Sequence, residues 1–402
     1  MDGAVPRKRG PRRSRGRARG SGRERKRLRR SRAITIAWRQ GKLTFQNFLT
    51  RQVVSAAPET VGVLDFFDDW RAPAELVAAM PEYTPASVGR ALASLVAKTL
   101  LVREGSREAE RDELLATSWR DWLPEAGYHF ATKDVPFASP RRWKKLVREF
   151  FAESPQPPIY EIDPARRQIP LPEGPAPDGE FLRVLLARET HREFSGEPVP
   201  LDRISELLRL TWGEVGELHS PNFGRLLRKT SPSGGARHPG EVYVVALDID
   251  GLRSGLYHYN VRDHALEQIR LGTMRDSFES LAVGQRHVGR AAALFVMTAL
   301  WPRSIWKYRS PRAYRVVTLD AGHLAQTFCL VATWLGLAPF TTAALRDTAI
   351  EETLAIDGIT ESVLYLAGVG MPRTRSGLRS GSPAAVARPR PRAGPRRRPS
   401  RA

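Results

Sequence analysis

The sequence predicts an α+β fold, in which a mostly buried sheet flanked by helices follows a small, mostly helical domain of winged-helix-like shape. Three observations lead to this fold class. Apolar residues recur at helical spacing between residues 55 and 105. From residue 180 onward, helical segments alternate with short β-branched runs. A proline-rich stretch between these regions cannot hold a helix or a sheet interior, so it marks a boundary between two domains.

Composition divides the 402 residues into five segments, and a hydrophobic content of 41% is sufficient for two buried cores. Two of the segments are arginine-rich tails, which bury too little apolar surface to fold and should be disordered. In chain order, the predicted segments are a tail over residues 1–33, a winged-helix-like domain over 34–153, a linker over 154–178, the sheet-containing domain over 179–372 and a tail over 373–402.

The formal net charge of +21 belongs to the two tails. Residues 1–33 hold 15 basic and two acidic residues, and residues 372–402 hold ten arginines and no acidic residue. The remaining 39 basic and 41 acidic residues leave the folded part nearly neutral, which argues against a globular domain that tracks nucleic acid. The tails are either polyanion-binding arms or a composition that GC-rich coding DNA imposes.

The single cysteine, Cys329, excludes an intramolecular disulfide framework and a cysteine-based zinc site. It lies in an apolar helical run, where a small buried side chain is expected. No uninterrupted apolar stretch reaches the roughly 18–20 residues of a membrane span. We therefore expect a cytoplasmic protein with no membrane partner and no export signal.

The first domain is predicted to contain three short helices and a strand. The third helix begins at the N-cap Thr84-Pro85 and runs to about Lys98. It carries only two basic residues, Arg90 and Lys98, so docking of a peptide or protein, or packing against the second domain, is favoured over DNA binding. The helices are predicted near 61–67, 72–80 and 85–98, the strand at 100–102, and the aromatic core or interface residues are Trp119, Trp122, Tyr128 and Phe130.

The second domain is predicted to alternate helices and strands around a buried sheet. The predicted helices span 181–188, 204–212 and 321–335, the strands span 242–247, 291–298 and 363–369, and a hairpin joins 256–259 to 266–269.

The first of four candidate ligand-binding segments is Arg188-Glu189-Thr190-His191-Arg192-Glu193-Phe194. The forks of Arg188 and Arg192, with the Thr190 hydroxyl between them, suit the oxygens of one phosphate. The same pattern also occurs at a solvated helix end.

The second segment, residues 230–239, contains Ser231-Pro232-Ser233-Gly234 directly before a predicted strand. Small and hydroxyl-bearing residues let the backbone approach a flat ring closely and offer N–H donors. It is neither a Walker loop nor a dinucleotide fingerprint, and an ordinary surface loop is the alternative.

The third segment, residues 306–315, holds Lys307 beside Tyr308. Such a pair can supply a general base or a proton relay. Packing and solvation at a helix start is the alternative interpretation.

The fourth segment ends the last predicted strand as Gly368-Val369-Gly370-Met371-Pro372-Arg373. Arg373, or Arg375 after it, would add one more positive group at a phosphate. The alternative is a strand that simply runs into the basic tail.

In this order, and together with Gly-Leu-Tyr-His-Tyr at 255–259 and Asp-Ala-Gly-His-Leu-Ala-Gln at 320–326, these segments resemble the nitroreductase superfamily. Within it, the sequence is similar to the SagB-type dehydrogenases that mature ribosomally made peptides. The resemblance covers roughly residues 180–372. The preceding helical domain is similar to those of such dehydrogenases, and its winged-helix pattern is similar to leader-peptide recognition modules.

The resemblance implies an FMN-dependent dehydrogenase, with a sheet flanked by helices and with each flavin at the interface of a homodimer. It implies oxidation of a peptide, for example from azoline to azole, with a cyclodehydratase or other maturation enzymes as partners. Thr190 stands where the family more often has serine. By position, the resemblance assigns cofactor contacts to Arg188, Thr190, Arg192, Ser231, Pro232, Ser233, Gly234, Gly370 and Arg373, and azoline oxidation to Lys307 and Tyr308.

Two other functions are compatible with the sequence. One is a general nitroreductase or ene-reductase that uses NAD(P)H. The other is a non-enzymatic winged-helix binding protein or regulator, for which salt-sensitive DNA binding would be the sign. No metal site is expected.

Overall fold

A computed structural model of the chain describes residues 26–154, 169–171 and 178–373. Most of the predicted linker and most of both predicted arginine-rich tails, including Arg375, lie outside the described residues.

The N-terminal region combines helices with two small sheets. Its strands are β1 (Leu28–Arg30), β2 (Ile34–Arg39), β3 (Lys42–Asn47), β4 (Gln52–Ser55) and β5 (Leu101–Arg103). Its helices are α1 (Glu59–Phe66), α2 (Pro73–Ala79), α3 (Pro85–Ala97), α4 (Arg107–Trp119), α5 (Leu123–Thr132) and α6 (Pro140–Glu153).

The three predicted helices and the short strand of this region are present as α1, α2, α3 and β5. Helix α3 begins as its sequence indicates, because the Thr84 hydroxyl accepts a hydrogen bond from the Ser87 amide at 3.2 Å. The antiparallel sheet β2–β3–β4 was not predicted. Strands β2 and β4 are largely exposed, whereas β3 buries Phe45 together with the polar Thr44 and Asn47.

The predicted boundary of the N-terminal tail at residue 33 is wrong. Strand β1 pairs with β5, so ordered structure starts before that boundary. The Arg29 guanidinium donates to the Asp112 carboxylate at 3.0 Å, and both side chains are buried. A basic residue in a low-complexity stretch is thus held in the fold by a buried acidic partner, which composition does not reveal.

The C-terminal region is built around one six-stranded antiparallel sheet of order β12-β11-β9-β13-β15-β14. Its strands are β6 (Val199–Pro200), β7 (Gly216–Ser220), β8 (Gly224–Arg228), β9 (Gly240–Ala246), β10 (Ile249–Asp250), β11 (Gly255–Asn260), β12 (Ala265–Leu271), β13 (Ala293–Leu300), β14 (Ala338–Thr342) and β15 (Glu361–Gly370). Its helices are α7 (Glu180–Ala187), α8 (Leu201–Thr211), α9 (Arg275–Leu281), α10 (Arg286–Arg290), α11 (Trp301–Ile305), α12 (Ala313–Trp334) and α13 (Asp347–Leu354).

Helices cover both faces of this sheet. Residues of α8 and α12 pack against one face, and residues of α9, α10 and α13 pack against the other. The predicted α+β class, with a buried sheet flanked by helices, is therefore confirmed. The hairpin β7–β8, the edge strand β14 and the three helices of the second face were not predicted.

Helix α12 is long and apolar enough to cross a membrane by length and composition alone. In this fold it is a core helix, since its own side chains Val317, Leu324 and Phe328 are buried. The loop of the candidate site is bound to this helix.

The two regions share a buried aromatic cluster. The Trp119 and Trp301 rings lie 4.7 Å apart, and the Trp119 indole donates to the Ile359 carbonyl at 2.9 Å. Trp119, Trp122 and Phe130 are buried as expected. Tyr128 is mostly exposed, although its ring meets that of Tyr314 edge-on. The aromatic segment thus packs the N-terminal region onto the start of α12.

Candidate functional site

The predicted loop Ser231–Gly234 lies along α12. The Ser231 and Thr327 hydroxyl oxygens are 2.6 Å apart. Two turns earlier on the helix, the Ser233 hydroxyl donates to Asp320 Oδ2 at 2.6 Å. Because Thr327 and Asp320 are seven residues apart, they occupy the same face of the helix and hold the loop at two points.

Gly234 fits at this place because it has no side chain. Its amide is 3.3 Å from each oxygen of Asp320, and a Cβ atom there would overlap the side chain of Val316. The close approach of the loop to the helix therefore requires glycine.

Asp320 is a buried carboxylate that ties together this part of the loop. Burial raises the pKa of Asp320, while its hydrogen bonds from Ser233 and Gly234 act in the opposite direction. Ser233 Oγ also accepts a hydrogen bond from the His238 amide at 2.9 Å. The hydroxyls of this loop are thus used to shape it, and Pro232 is its exposed residue.

Lys307 and Tyr308 follow α11 and meet the next residue of the loop, Gly235. Lys307 Nζ donates to the Gly235 carbonyl at 3.4 Å and lies 4.2 Å from the centre of the Phe223 ring. A Cβ atom on Gly235 would lie 2.6 Å from Lys307 Nζ and would overlap the Tyr308 hydroxyl. The polar ends of both side chains therefore converge on one glycine, whose φ of +60° is a left-handed conformation.

The backbone of this pair is held by the N-terminal region. The Trp122 indole N–H donates to the Tyr308 carbonyl oxygen at 3.0 Å. Since Trp122 is fully buried, this bond is shielded from solvent and fixes where the pair leaves α11.

The first and fourth predicted segments come together at the β14–β15 edge of the sheet. The His191 amide donates to the Pro339 carbonyl at 2.9 Å, and the Ser195 amide donates to the Met371 carbonyl at 3.0 Å. A Cβ atom on Gly370 would lie 2.6 Å from the Phe194 ring. The segment that carries Arg188, Thr190 and Arg192 is thus held against the end of β15.

The arginines of these segments surround that edge. The pKa of the Cys329 thiol on α12 is raised by burial, against the positive charge of Arg188. The pKa of His287 on α10 is lowered by burial and by Arg192. Arg373 forms an exposed ion pair with Glu193 at 3.2 Å.

Helix α12 links the two halves of the site. Its Thr327 binds the loop, and its Trp334 indole donates at 3.0 Å to Glu180 of α7, the helix that ends directly before Arg188. At one end, the half-buried Arg188 and the exposed Arg192, Arg373 and Thr190 offer positive charge and a hydroxyl that suit a phosphate group. At the other end, a loop with little side-chain bulk suits a flat ring. Among the residues described by the structure, no group of His, Cys, Asp and Glu is arranged to hold a metal ion.

A polar cavity of about 730 Å³ next to the loop was missed from the sequence. His258 lies between Glu241 and Glu267, 3.0 Å from an oxygen of each, and its hydrogen bond to Glu241 is the main reason why its pKa rises to about 8. Burial lowers the pKa of Lys229 to about 8. These residues come from separate elements, and only the matching strand faces of β9 and β11 bring Glu241 and His258 together.

Comparisons of this chain with a family model and with known proteins indicate the same family. A family model described as the nitroreductase family matches residues 185–371. The trifolitoxin-processing protein TfxB of Rhizobium leguminosarum bv. trifolii is 30% identical over 322 residues, which cover 74% of this chain and 85% of TfxB. The microcin B17-processing protein McbC of Escherichia coli is 29% identical over 157 residues, which cover 38% of this chain and 57% of McbC.

One similar solved structure is the E. coli microcin synthetase McbBCD complex with truncated pro-MccB17 bound. The matched chain is 22% identical with a TM-score of 0.44, and the match covers 65% of this chain and 94% of that chain.

Proposed function

Because this chain belongs to the nitroreductase family, a family of oxidoreductases, we propose that it is an FMN-dependent dehydrogenase that removes two electrons from a ribosomally made peptide. The relatives TfxB and McbC are named for the processing of trifolitoxin and of microcin B17. A peptide that contains an azoline ring, oxidised to the aromatic azole, is the proposed substrate. A cytoplasmic location is part of this proposal.

The observation that carries the proposal is the convergence of Lys307 and Tyr308 on Gly235. A dehydrogenase needs a base that takes one proton from the carbon being oxidised. Lys307 Nζ has only a long hydrogen bond of 3.4 Å to the Gly235 carbonyl, so its amine is available to a substrate. Tyr308 lies beside it with its backbone fixed by Trp122, and either side chain would accept or relay the proton.

FMN, when bound, would accept the hydride equivalent that leaves the substrate. We propose that Arg188, Thr190, Arg192 and Arg373 hold its phosphate end and that the backbone of the loop Ser231–Gly234, with Gly370, lies against the remainder. The arginines supply positive charge for a phosphate, and Gly234 and Gly370 have no side chain that would occupy space in the site. Ser231 and Ser233 would act by holding the loop on α12.

Two copies of the chain are proposed to form the working unit. Helix α7 and the adjacent outer side of α12 expose large apolar side chains, an arrangement that is typical of a subunit interface. These are Phe181, Leu182, Leu185, Leu186, Leu319 and Trp334. A homodimer that covers them would place this interface beside Arg188, which follows α7 directly.

The substrate implies a preceding enzyme. An azoline forms from a peptide bond and a Cys, Ser or Thr side chain by loss of water, and this chemistry is separate from oxidation. A cyclodehydratase is therefore the proposed partner.

The test combines the absorption spectrum of the purified protein with mass spectrometry of a cyclised peptide encoded beside it. The proposal predicts bound flavin and a loss of two mass units for each oxidised ring. Colourless protein with no capacity to bind added FMN would contradict it.

A general NAD(P)H-dependent nitroreductase or ene-reductase is the second candidate, because the matched family is described as the nitroreductase family. Rapid oxidation of NAD(P)H with small nitroaromatic compounds, without any change in the mass of the peptide, would favour it.

A further inference from the structure

Helix α6 carries its large apolar side chains in one stripe. At about 100° per residue, the spacing of these residues confines them to one side of the helix. They are Trp143, Leu146, Val147, Phe150 and Phe151. None is buried, and Trp143 and Phe151 are 55% and 60% exposed. An apolar stripe of this size is therefore left in contact with water.

Within the described part of the chain, α6 has no partner for this stripe. None of its residues belongs to a hydrophobic core cluster. Among the residues that the structure describes, the side-chain hydrogen bonds and ion pairs of α6 stay within the helix and its cap. They are the Ser139 cap on the Arg142 amide at 3.4 Å and the pair Lys145–Glu149 at 3.7 Å. The described residues of the chain thus leave the apolar side of α6 uncovered.

The opposite side of α6 is strongly basic. Five basic residues stand against two acidic ones, Glu149 and Glu153; the basic ones are Arg141, Arg142, Lys144, Lys145 and Arg148. Arg142 and Lys144 flank Trp143 at the two borders of the apolar stripe. Long basic side chains at such borders can reach outward while their stems lie over apolar surface.

We propose that α6 binds the surface of an anionic membrane, with its apolar stripe in the headgroup region. A basic polar face opposite Trp, Phe and Leu is the pattern of helices that lie in the membrane interface. The arginine-rich segments at both ends of the sequence add attraction for an extended anionic surface. A single protein groove would engage the helix but would leave that charge unused.

This proposal is independent of the oxidation reaction, and it revises the expectation that the protein has no membrane partner. That expectation excluded a spanning segment on the basis of length. A helix that lies on the surface requires an apolar side and basic borders rather than span length.

The test is co-sedimentation of the full chain with vesicles of phosphatidylcholine, with and without phosphatidylglycerol. A salt concentration of about 0.3 M screens the exposed charges of the chain, so the contribution of the apolar stripe becomes visible. The test variant is W143A/F150A. The matched control is I36A/W38A, which removes two exposed apolar side chains from β2. Circular dichroism checks that both variants are folded.

We expect the wild type and the control to bind vesicles that contain phosphatidylglycerol, and W143A/F150A to bind about tenfold more weakly, since two large apolar side chains no longer leave water. The Trp143→Phe variant should bind but lose part of the blue shift in tryptophan emission. Equal binding of W143A/F150A and the control would assign the attraction to the basic ends alone. Either that result or a wild type that does not bind anionic vesicles would overturn the proposal.

Discussion

The Ser233 hydroxyl donates to the buried Asp320 carboxylate at 2.6 Å, and this contact joins two segments that are 87 residues apart. It fixes the loop Ser231–Gly234 on α12 and, through the adjacent Gly235, sets the position against which Lys307 and Tyr308 pack. The geometry of the candidate site therefore depends on a buried carboxylate whose oxygens are bound by the loop itself.

Replacement of Asp320 by alanine should destabilise the protein. The Gly234 amide and the Ser233 hydroxyl would lose their acceptor in a partly buried place, at a cost of about 1–3 kcal/mol in the free energy of unfolding. Asp320→Asn, which keeps one acceptor oxygen, should lose less. Denaturant unfolding measures both, with Thr318→Ala on the exposed side of α12 as the control. An Asp320→Ala variant as stable as this control would show that the loop is held by other contacts.

Gly235→Ala should reduce substrate oxidation more than the matched variant Gly41→Ala. Both glycines have positive φ, so both variants carry a backbone cost of about 1 kcal/mol. Only at Gly235 does the new methyl group meet Lys307 and Tyr308, whereas nothing lies within 4 Å at Gly41. The measurement is the rate of peptide oxidation alongside the free energy of unfolding. Equal oxidation rates for the two variants would show that the contacts at Gly235 play no part in the reaction.

Stability should fall as pH rises from about 6.5 to above 8, because of His258. Its hydrogen bonds to Glu241 and Glu267 raise its pKa to about 8 in the folded state, so the folded protein holds this proton more tightly than the unfolded chain. The contribution is complete below about pH 6.5 and is lost as pH passes through about 8. It amounts to about 1–2 kcal/mol, given that the ring is partly exposed. In His258→Gln, this part of the pH profile of unfolding should be flat; an unchanged slope would assign it to other groups.

The double variant R188A/R192A should yield colourless protein, because the proposed phosphate contacts are removed. Arg262→Ala, an exposed arginine paired with Asp263 in the β11–β12 turn, is the control and should retain flavin. The ratio of flavin to protein absorbance measures both. Normal flavin content in the double variant would show that the phosphate is held by other residues.

Much of the architecture could be predicted from local sequence. The Thr84-Pro85 cap fixed the start of α3, and continuous apolar runs indicated the buried strands β9, β13 and β15. The sheet β2–β3–β4 was not predicted because β2 and β4 are mostly exposed and the buried residues of β3 include the polar Thr44 and Asn47. Strand β1 was not predicted because its burial depends on the distant Asp112. A local sequence pattern can indicate that a residue is buried, but it does not show which distant residue packs against it.

The segments that form the candidate site could be predicted from the sequence, but the contacts between them could not. Residue types singled out the loop, the Lys307–Tyr308 pair and the arginines. The sequence contains no local sign that Ser233 turns inward to Asp320, or that Glu241, His258 and Lys229 line one cavity. These relationships arise from the packing of α12 and the register of β9 with β11.

The central claim is that Lys307 acts on the substrate and does not serve to hold the cofactor. The most direct measurement is the mass of a cyclised peptide after incubation with Lys307→Ala, made alongside the flavin spectrum of the same sample. The account predicts bound flavin and no loss of two mass units, while the wild type oxidises the peptide fully. Full oxidation by the variant, or loss of its flavin, would contradict it.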